Sequence, residues 1–471
     1  MRAPGGESPI LGPLFVRPNR SYPTHSGKEA LSVSARTVPG YLPQDVPSPG
    51  ALVSLGFQHV LTMFPATVLV AILTKFDIGV TLFASGLATV VALLGSGMRI
   101  PLYYGSSFSY IAAVVGVVGA EWGGTQVAQV GIVATAAVSI IAGLLIRLVG
   151  KEALDKVLPP IVTGSVAVVI GIALAKAALD MAAGDWLISL ITLVATILFS
   201  VYLRGLGLLG MLPVLLGAVV GYLVSLGLGK VDFAPVHQAS WLRWPAFSLP
   251  AFSSPGAWKA VLAIAPIAVA TIPESTAHLY QISLYVDRLA EEMGRPPLKI
   301  SRLIGLNLIL DGIGDAINRL LGGCAGTNYG ENNSLMAITR NYSAPVLICA
   351  GVIAMALGFV GKLAAVIQTL PTPVTGGLAI YLFGVIGLQG VALIQSEKVD
   401  LFDPRQLAIG AVIMVIGIGG AAFPGGNIPL GSLQLPSIAT AAVVGILLNA
   451  IFLIFPVREA ARKPARATAS E

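Results

Sequence analysis

The chain has 471 residues, of which 55% are hydrophobic and 11% are charged, and its formal net charge is +6. Its mean hydropathy is +0.86. Soluble domains carry about 25% charged residues, so this composition excludes a soluble globular protein and predicts a multi-pass membrane protein. The excess of Lys and Arg is typical of cytoplasmic loops rather than of a nucleic-acid-binding surface, because no basic segment is interleaved with aromatic residues. Two cysteines are too few for a disulfide framework.

The apolar pattern predicts fourteen membrane segments between two polar tails. In chain order the segments are 50–74, 78–97, 101–119, 125–149, 158–178, 184–203, 206–228, 257–284, 301–321, 326–340, 345–368, 371–394, 405–423 and 433–455. Residues 1–48, rich in Pro, Gly and Ser and without the apolar core of a signal peptide, are predicted to be a disordered cytoplasmic tail. Residues 231–256 are predicted to be an outer loop and residues 457–471 a second cytoplasmic tail. Most Lys and Arg then fall on the inside, as cytoplasmic termini require.

Three pairs of short motifs indicate an internal repeat. The pairs are Leu158–Ser165 with Leu370–Gly377, which agree at five of eight positions, Phe64–Thr67 with Ile272–Ser275, and Tyr104–Ser107 with Tyr329–Asn332. Seven segments per half is an odd number, so the second half (257–456) must be inverted relative to the first (49–230). Inverted repeats with paired broken helices are typical of secondary transporters, whose substrate binds at the repeat interface.

Four carboxylates fall inside predicted segments and away from the segment ends, and a charge there costs at least a few kcal/mol. They are Glu274, Asp311, Asp315 and Glu331. Glu274 follows a proline, and it shares a helix face with His278 four residues later, so the two side chains can share or exchange a proton. Asp311 and Asp315 are also four residues apart and lie beside glycines, a pattern that favours a structural or interfacial role.

Glu331 lies in an unusually polar stretch for a membrane segment, Gly326–Arg340. Residues 326–330 are predicted to be extended and residues 331–340 to form a short helix, so a helix N-terminus opens inside the membrane. A carboxylate there is stabilised by the positive helix end, beside backbone groups that are free for a ligand.

Other polar residues in the segments are weaker candidates. His59, in segment 1, fits a helix–helix hydrogen bond better than a ligand contact, and it is kept as a secondary candidate. Ser106, Ser107 and Phe108, in segment 3, offer hydroxyls, free backbone and a ring for stacking. No metal-ligand spacing and no phosphate-binding loop is present, so coupling to an ion gradient is expected rather than ATP hydrolysis. The nucleophile, metal or second base of a membrane-embedded enzyme is also missing.

From about residue 50 to 455 the sequence resembles the nucleobase–ascorbate transporter family, also called nucleobase:cation symporters of the second kind, and within it the bacterial uracil permease branch. The most specific part is Tyr329-Gly330-Glu331-Asn332 followed by Met336-Ala337-Ile338-Thr339-Arg340. Members that transport xanthine or urate typically have Gln-Asn and end in Thr-Gly. Further matching stretches are Gln58-His59 with Ala66–Val70, Gly105–Phe108, Gly361–Ala365 and Gly384–Gly387.

The resemblance implies an all-α fold of fourteen segments in two inverted sevens. Segments 1–4 and 8–11 would form a core domain and segments 5–7 and 12–14 a gate domain, with a short β-strand before a half-helix in segments 3 and 10. It further implies a set of site residues. Substrate carboxylates fall on Glu274 and Glu331, backbone contacts on Phe108 and Gly330 with Ser107 and Tyr329 nearby, and the proton-linked histidine on His278, with Asn332 and Ser334 as secondary candidates.

Two departures from the family pattern are present. Ser334 stands where the family motif has Gly, and segment 8 reads Glu274-Ser275-Thr276-Ala277-His278 where uracil permeases usually read Glu-His-x-Gly-His. Both carboxylates are retained, so proton-coupled uptake of a nucleobase, above all uracil, is expected without a cofactor. Sodium is the alternative coupling ion. The alternative functions are a xanthine or urate permease of the same family and an anion transporter or channel of the same fold.

The expected setting is the plasma membrane, with both termini in the cytoplasm. The expected partners are the nucleobase, the lipid bilayer and a second copy of the chain bound through the gate domain, with no nucleic acid and no metal.

Overall fold

The computed structural model describes residues 40–150, 152, 156–423, 426–430 and 433–455, and most of them are helical. The tail predictions for residues 1–39 and 457–471 lie outside the described residues. The helices of the first half are α1 (Pro49–Thr74), α2 (Ile78–Gly95), α3 (Ile111–Val118), α4 (Thr125–Val149), α5 (Pro160–Ala173), α6 (Ala175–Ala182), α7 (Trp186–Tyr202), α8 (Pro213–Gly227) and α9 (Ala234–Gln238). Those of the second half are α10 (Ala257–Ile264), α11 (Ala268–Glu292), α12 (Ile304–Leu321), α13 (Gly330–Thr339), α14 (Ala344–Gly358), α15 (Gly361–Gln368), α16 (Thr372–Ser396), α17 (Pro404–Met414) and α18 (Ser437–Ile454).

About half of the described helices begin where the sequence supplies a side-chain cap or a proline. Asp77 accepts a hydrogen bond from the N–H of Val80 at 2.8 Å and caps α2, and Asp185 caps α7 through the N–H of Leu187 at 3.1 Å. Proline occupies the first turn of α1, α5, α8, α14, α16 and α17. A proline at this position lacks only an N–H that would be unpaired in any case.

Seven of the described helical stretches are long and apolar enough to cross a membrane. They are Pro49–Thr74, Ile78–Gly95, Thr125–Val149, Pro160–Ala182, Ala257–Glu292, Thr372–Ser396 and Ser437–Ile454. Five shorter apolar helical stretches accompany them, namely Phe108–Val118, Trp186–Tyr202, Pro213–Gly227, Ala344–Gly358 and Pro404–Gly419. The chain is therefore a multi-pass, mainly helical membrane protein.

Helices from the two halves of the chain pack against one another. α2 packs along α14, α4 along α12, and α5 along α16. The approach is close enough to require glycine. A Cβ added to Gly86 on α2 would lie 2.3 Å from the carbonyl oxygen of Gly351 on α14, and one added to Gly143 on α4 would lie 2.6 Å from that of Gly305 on α12. Small residues of this kind are what lets membrane helices approach closely.

Two short antiparallel strand pairs complete the described fold. β1 (Tyr104–Ser106) pairs with β2 (Gly326–Asn328), and β3 (Asn427–Leu430) pairs with β4 (Leu433–Pro436) as a hairpin between α17 and α18. β1 and β2 lie in predicted segments 3 and 10, ahead of the short helices α3 and α13. The predicted extended stretch and half-helix of residues 326–340 are thus present.

Several predicted segments differ from the observed elements; the helix in segment 257–284, for example, continues to Glu292. Segment 345–368 is not one helix, because the chain is extended at Val360, which forms a bridge with Leu242 and separates α14 from α15. Segment 433–455 starts as strand β4 rather than as helix.

Residues 40–48, predicted as part of the disordered tail, are instead bound to the rest of the protein. The N–H of Tyr41 donates to the carbonyl of Arg340 at 3.0 Å. Both carboxylate oxygens of Asp45 accept from Arg295 at 2.9 Å. The polar composition of this stretch predicted disorder, but its hydrogen bonds are made to residues distant in the sequence, which composition does not reveal.

Candidate functional site

β1 and β2 meet at the point where two helices begin. They are antiparallel, with Tyr104 opposite Asn328. After β1 the chain enters a 3-10 turn at Phe108 and then α3, and after β2 it enters α13 at Gly330. Two helix N-termini therefore lie beside the strand pair. Their free N–H groups and dipoles favour ligand groups that accept hydrogen bonds.

The positions of β1 and β2 show that the motif match between Tyr104–Ser107 and Tyr329–Asn332 was out of register. The sequence motifs matched Tyr104 with Tyr329, but Tyr104 begins β1, whereas Tyr329 follows β2 and directly precedes α13. Measured from the strand ends, Phe108 is the counterpart of Gly330, and Ser109 is the counterpart of Glu331.

Glu274 lies on α11 within reach of both helix starts. It is half-buried, and its Oε2 accepts a hydrogen bond from Ser109 Oγ at 3.4 Å. The carboxylate of Glu331 is near enough for the two like charges to interact. Pro273, inside α11, has no N–H to donate to the carbonyl four residues earlier, so a polar backbone group is released beside Glu274.

Glu331 occupies the first turn of α13 and is exposed. Among the described residues, no other side chain donates a hydrogen bond to its carboxylate. A negative charge at this position is stabilised by the helix dipole and keeps its oxygens available. Glu274 and Glu331 are thus brought together as a pair of acceptors.

His278 lies one turn beyond Glu274 on α11, and it faces the end of β2. Its ring lies beside the backbone of Asn328. A Cβ added to Gly330 would lie only 2.9 Å from His278 Nε2, so the ring is packed directly against the start of α13. The structure therefore places His278, a predicted site residue, at the junction between β2 and α13.

Ser107 and Tyr329, predicted near the substrate, are buried and already bonded within the protein. The Ser107 hydroxyl accepts from the N–H of Ser109 at 3.2 Å and caps the 3-10 turn. The Tyr329 hydroxyl is 2.8 Å from Thr67 Oγ1, and its ring lies across Gly105. Ser107 therefore stabilises the turn before α3, and Tyr329 anchors the start of α13 to α1.

The secondary candidates connect α13 to its neighbours. The Asn332 amide donates to the backbone carbonyl of His59 at 3.2 Å and lies 3.0 Å from its Nδ1. His59 is buried and joins two helices, as its sequence context suggested. Ser334 Oγ donates to the carbonyl of Gly330 at 3.1 Å, a hydrogen bond within α13.

The sequence did not single out a buried polar cluster behind Glu274. Ser275 Oγ accepts from the amides of Asn307 at 2.8 Å and Asn328 at 2.7 Å, and this joins α11, α12 and β2. The hydroxyl stands where uracil permeases usually have histidine. Ser109 was also missed. The available signal for the cluster was Asn307, a polar residue in an otherwise apolar stretch of segment 9. The signal for Ser109 was its position directly after Phe108, a predicted site residue.

The two aspartates of α12 are both buried. Asp315 accepts hydrogen bonds from two other elements, in agreement with the structural role that its spacing favoured. In the part of the chain that the structure describes, no group of three or more His, Cys, Asp or Glu residues could hold a metal ion.

The sequence has clear relatives. The model of the Permease family matches residues 50–426. The uracil permease of Bacillus caldolyticus is 40% identical over 87% of this chain and 93% of its own length. That of Bacillus subtilis is 37% identical over 87% and 94%, and that of Escherichia coli K12 is 34% identical over 86% and 92%.

Solved structures share the fold at low identity. The transmembrane domain of the cyanobacterial bicarbonate transporter BicA superposes with a TM-score of 0.55 at 15% identity, covering 85% of this chain and 97% of that one. The murine anion transporter Slc26a9 in its inward-facing state gives a TM-score of 0.61 at 11% identity, covering 88% and 69%. At such identities the likeness establishes the fold alone. The family model and the bacterial relatives cover most of the chain, and the protein belongs to this permease family, the nucleobase:cation symporters of the second kind.

Proposed function

We propose that this chain is a secondary active transporter that carries uracil across the plasma membrane together with protons. One observation carries the proposal. Two carboxylates, Glu274 and Glu331, lie at the meeting point of two helix starts, and each has acceptor oxygens to spare. Relatives at 34–40% identity are uracil permeases by name, which supports uracil as the substrate.

The chemistry of the site suits a pyrimidine with two ring N–H groups and two carbonyls. The N–H groups donate to Glu274 and Glu331. The carbonyls accept from backbone N–H groups at the two helix starts, near Phe108 and Gly330, and the Phe108 ring stacks on the base. An analogue that lacks an N–H leaves a carboxylate without its donor, so a site of this kind discriminates strongly.

Proton coupling follows from the interaction between the two carboxylates. A proton on Glu274 removes the repulsion from Glu331 and lowers the cost of moving the site within the membrane. His278 is the second proton carrier in this proposal. Its ring contacts both Asn328 and Gly330, so a change in its charge acts on the start of α13.

The proposed architecture has fourteen segments in two inverted sevens, with a core that moves against a gate. The packing of α2 on α14 and of α4 on α12 supports it, because exchange of the two halves converts one pair into the other. We further propose cytoplasmic termini and a homodimer formed through the gate domain, whose helices include α5 and α16.

The test is uptake of radiolabelled uracil into proteoliposomes, with and without an inward proton gradient, for the wild type, Glu331→Gln and Glu274→Gln. Glutamine keeps the size of the side chain but replaces one acceptor by a donor. Uptake should collapse with the gradient and in both variants. A sodium gradient at constant pH identifies the coupling ion.

Uptake of other labelled substrates decides among the alternatives. Uptake of labelled xanthine or urate but not of labelled uracil, retained in Glu331→Gln, would indicate a purine permease. Uptake of labelled bicarbonate or sulfate, with no uptake of any base, would indicate an anion transporter of the same fold.

A further inference from the structure

A buried ion pair lies on α12, behind the proposed substrate site. Asp315 and Arg319 are one turn apart, with side chains 4% and 0% exposed, and Arg319 Nη2 lies 3.7 Å from Asp315 Oδ1. Arg319 also donates to the carbonyl of Gly323, and its guanidinium lies 5.9 Å from the ring centre of Phe76. Uracil binding and proton coupling, as proposed above, use neither residue. A pair this deeply buried is costly to bring out of water, so its purpose must be sought in its contacts.

The Asp315 carboxylate accepts from both broken segments. Its Oδ1 accepts the N–H of Gly326, the first residue of β2, at 2.7 Å. Its Oδ2 accepts the hydroxyl of Tyr110 at 3.2 Å. Tyr110 ends the 3-10 turn that follows β1 and lies next to Ser109, the residue that donates to Glu274.

We propose that Asp315 is a positioning residue for the substrate site, and that Arg319 is the counter-charge that lets it work. One carboxylate joins the two helix starts to the same point of α12. It thereby sets the position of Ser109 on one side and of Glu331 on the other. The short strand pair, three residues on each side, also joins these two starts, and the N–H of Tyr329 extends it by donating to the carbonyl of Tyr103 at 2.9 Å.

The chemistry of the neighbours favours the ionised form of Asp315. Gly326 and Tyr110 donate hydrogen bonds to Asp315, and the Arg319 guanidinium lies 3.7 Å away as its counter-charge. A carboxylate is an acceptor on every side, whereas an amide must turn its NH₂ group towards one of these donors. Hydrogen bonds to a charged acceptor are also stronger than those to a neutral one.

The test uses the full chain, purified in detergent, with three variants. Tyr110→Phe removes one hydrogen bond and leaves the ion pair intact. Asp315→Asn keeps the size of the side chain and leaves Arg319 without its counter-charge. Asp315→Asn/Arg319→Met removes both charges, so we expect this variant to fold even where the single variant does not. Tyr222→Phe is the matched control, because its hydroxyl bonds to Thr369 at 2.7 Å, away from the site.

Hydrogen–deuterium exchange of the substrate-free protein is the first measurement. In Tyr110→Phe, exchange should rise in residues 108–112 and stay unchanged in 326–333. In the double variant it should rise in both stretches. The control should leave both unchanged. Wild-type exchange in both stretches of the double variant would overturn the proposal, as would a rise spread evenly over the whole chain.

Uracil affinity is the second measurement, and it alone rests on the proposed function. Tyr110→Phe should weaken uracil binding roughly three- to tenfold, the range expected for one lost hydrogen bond, while the melting temperature stays close to that of the control. Wild-type affinity in the double variant would overturn the positioning role. A wild-type protein that fails to bind uracil would refute the proposed function, and the exchange data would still decide the role of Asp315.

Discussion

A substitution at Gly105 in β1 tests whether the strand pair needs the close packing of the Tyr329 ring on this glycine. A Cβ added at this position would lie 2.2 Å from Cε2 and Cζ of Tyr329. Carbon atoms in contact are separated by about 3.5–4.0 Å, so in Gly105→Ala the ring must retreat by about 1.5 Å. Tyr329 is fully enclosed, and it directly precedes the first residue of α13.

The magnitude follows from two contributions. Overpacking of a dense interior costs about 1–3 kcal/mol. Displacement of the ring also breaks the hydrogen bond of 2.8 Å between the Tyr329 hydroxyl and Thr67, worth about 1 kcal/mol. Gly105→Ala should therefore destabilise the protein by about 2–4 kcal/mol. Uracil affinity should fall about tenfold or more, because a displacement of this size at a site-forming residue is not tolerated.

The assay is thermal unfolding and uracil uptake of purified, reconstituted protein. The matched control is Gly384→Ala on α16, where an added Cβ meets nothing within 4 Å. Alanine in a helix is favoured over glycine by about 0.5–1 kcal/mol, so the control should be neutral or slightly stabilised. Wild-type stability and uptake in Gly105→Ala would refute the packing argument.

Three further predictions follow from the structure. Gly330→Ala places a Cβ 2.9 Å from the His278 ring, so uptake and its dependence on the proton gradient should fall together, and unaltered coupling would contradict this. Ser109→Ala removes the hydroxyl that donates to the α11 carboxylate, and uracil affinity should fall about threefold, as equilibrium binding can measure. The hydrogen bond with Lys230 lowers the pKa of the Asp185 carboxyl outside the membrane-spanning helices. Its stabilisation is present at neutral pH and is lost as pH falls through the folded pKa, so Asp185→Asn should lower the melting temperature at neutral pH only.

The broken segment at residues 326–340 could be predicted because its polarity is inconsistent with a continuous membrane helix. Glycine, asparagine and a carboxylate in one apolar chain leave few options other than an interrupted helix that lines a cavity. Glu274 and His278 could be predicted for a related reason, since the cost of burying them demands a function.

The pairing of β1 with β2 could not be read in this way. A strand of three residues has no periodic pattern, so sequence similarity matched Tyr104 with Tyr329 where the strand ends match Ser107 with Tyr329. Arg319 was hidden for another reason. In the sequence it is a basic residue at the end of a segment, and only the fold shows that it turns inward towards Asp315.

The donors around Asp315 differ from those around Glu274 and Glu331, the two carboxylates proposed to bind the substrate. Asp315 accepts a backbone N–H and a tyrosine hydroxyl, and a guanidinium lies 3.7 Å away, so both of its oxygens are used inside the protein. Among the described residues, Glu274 receives one long side-chain hydrogen bond, and Glu331 receives none from another side chain. Glu274 is half-buried and has acceptor capacity left, and a ligand with N–H groups would supply the missing donors. Glu→Gln at position 274 or 331 should therefore abolish transport, because it removes an acceptor for the substrate. Asp315→Asn should instead act by shifting the two helix starts.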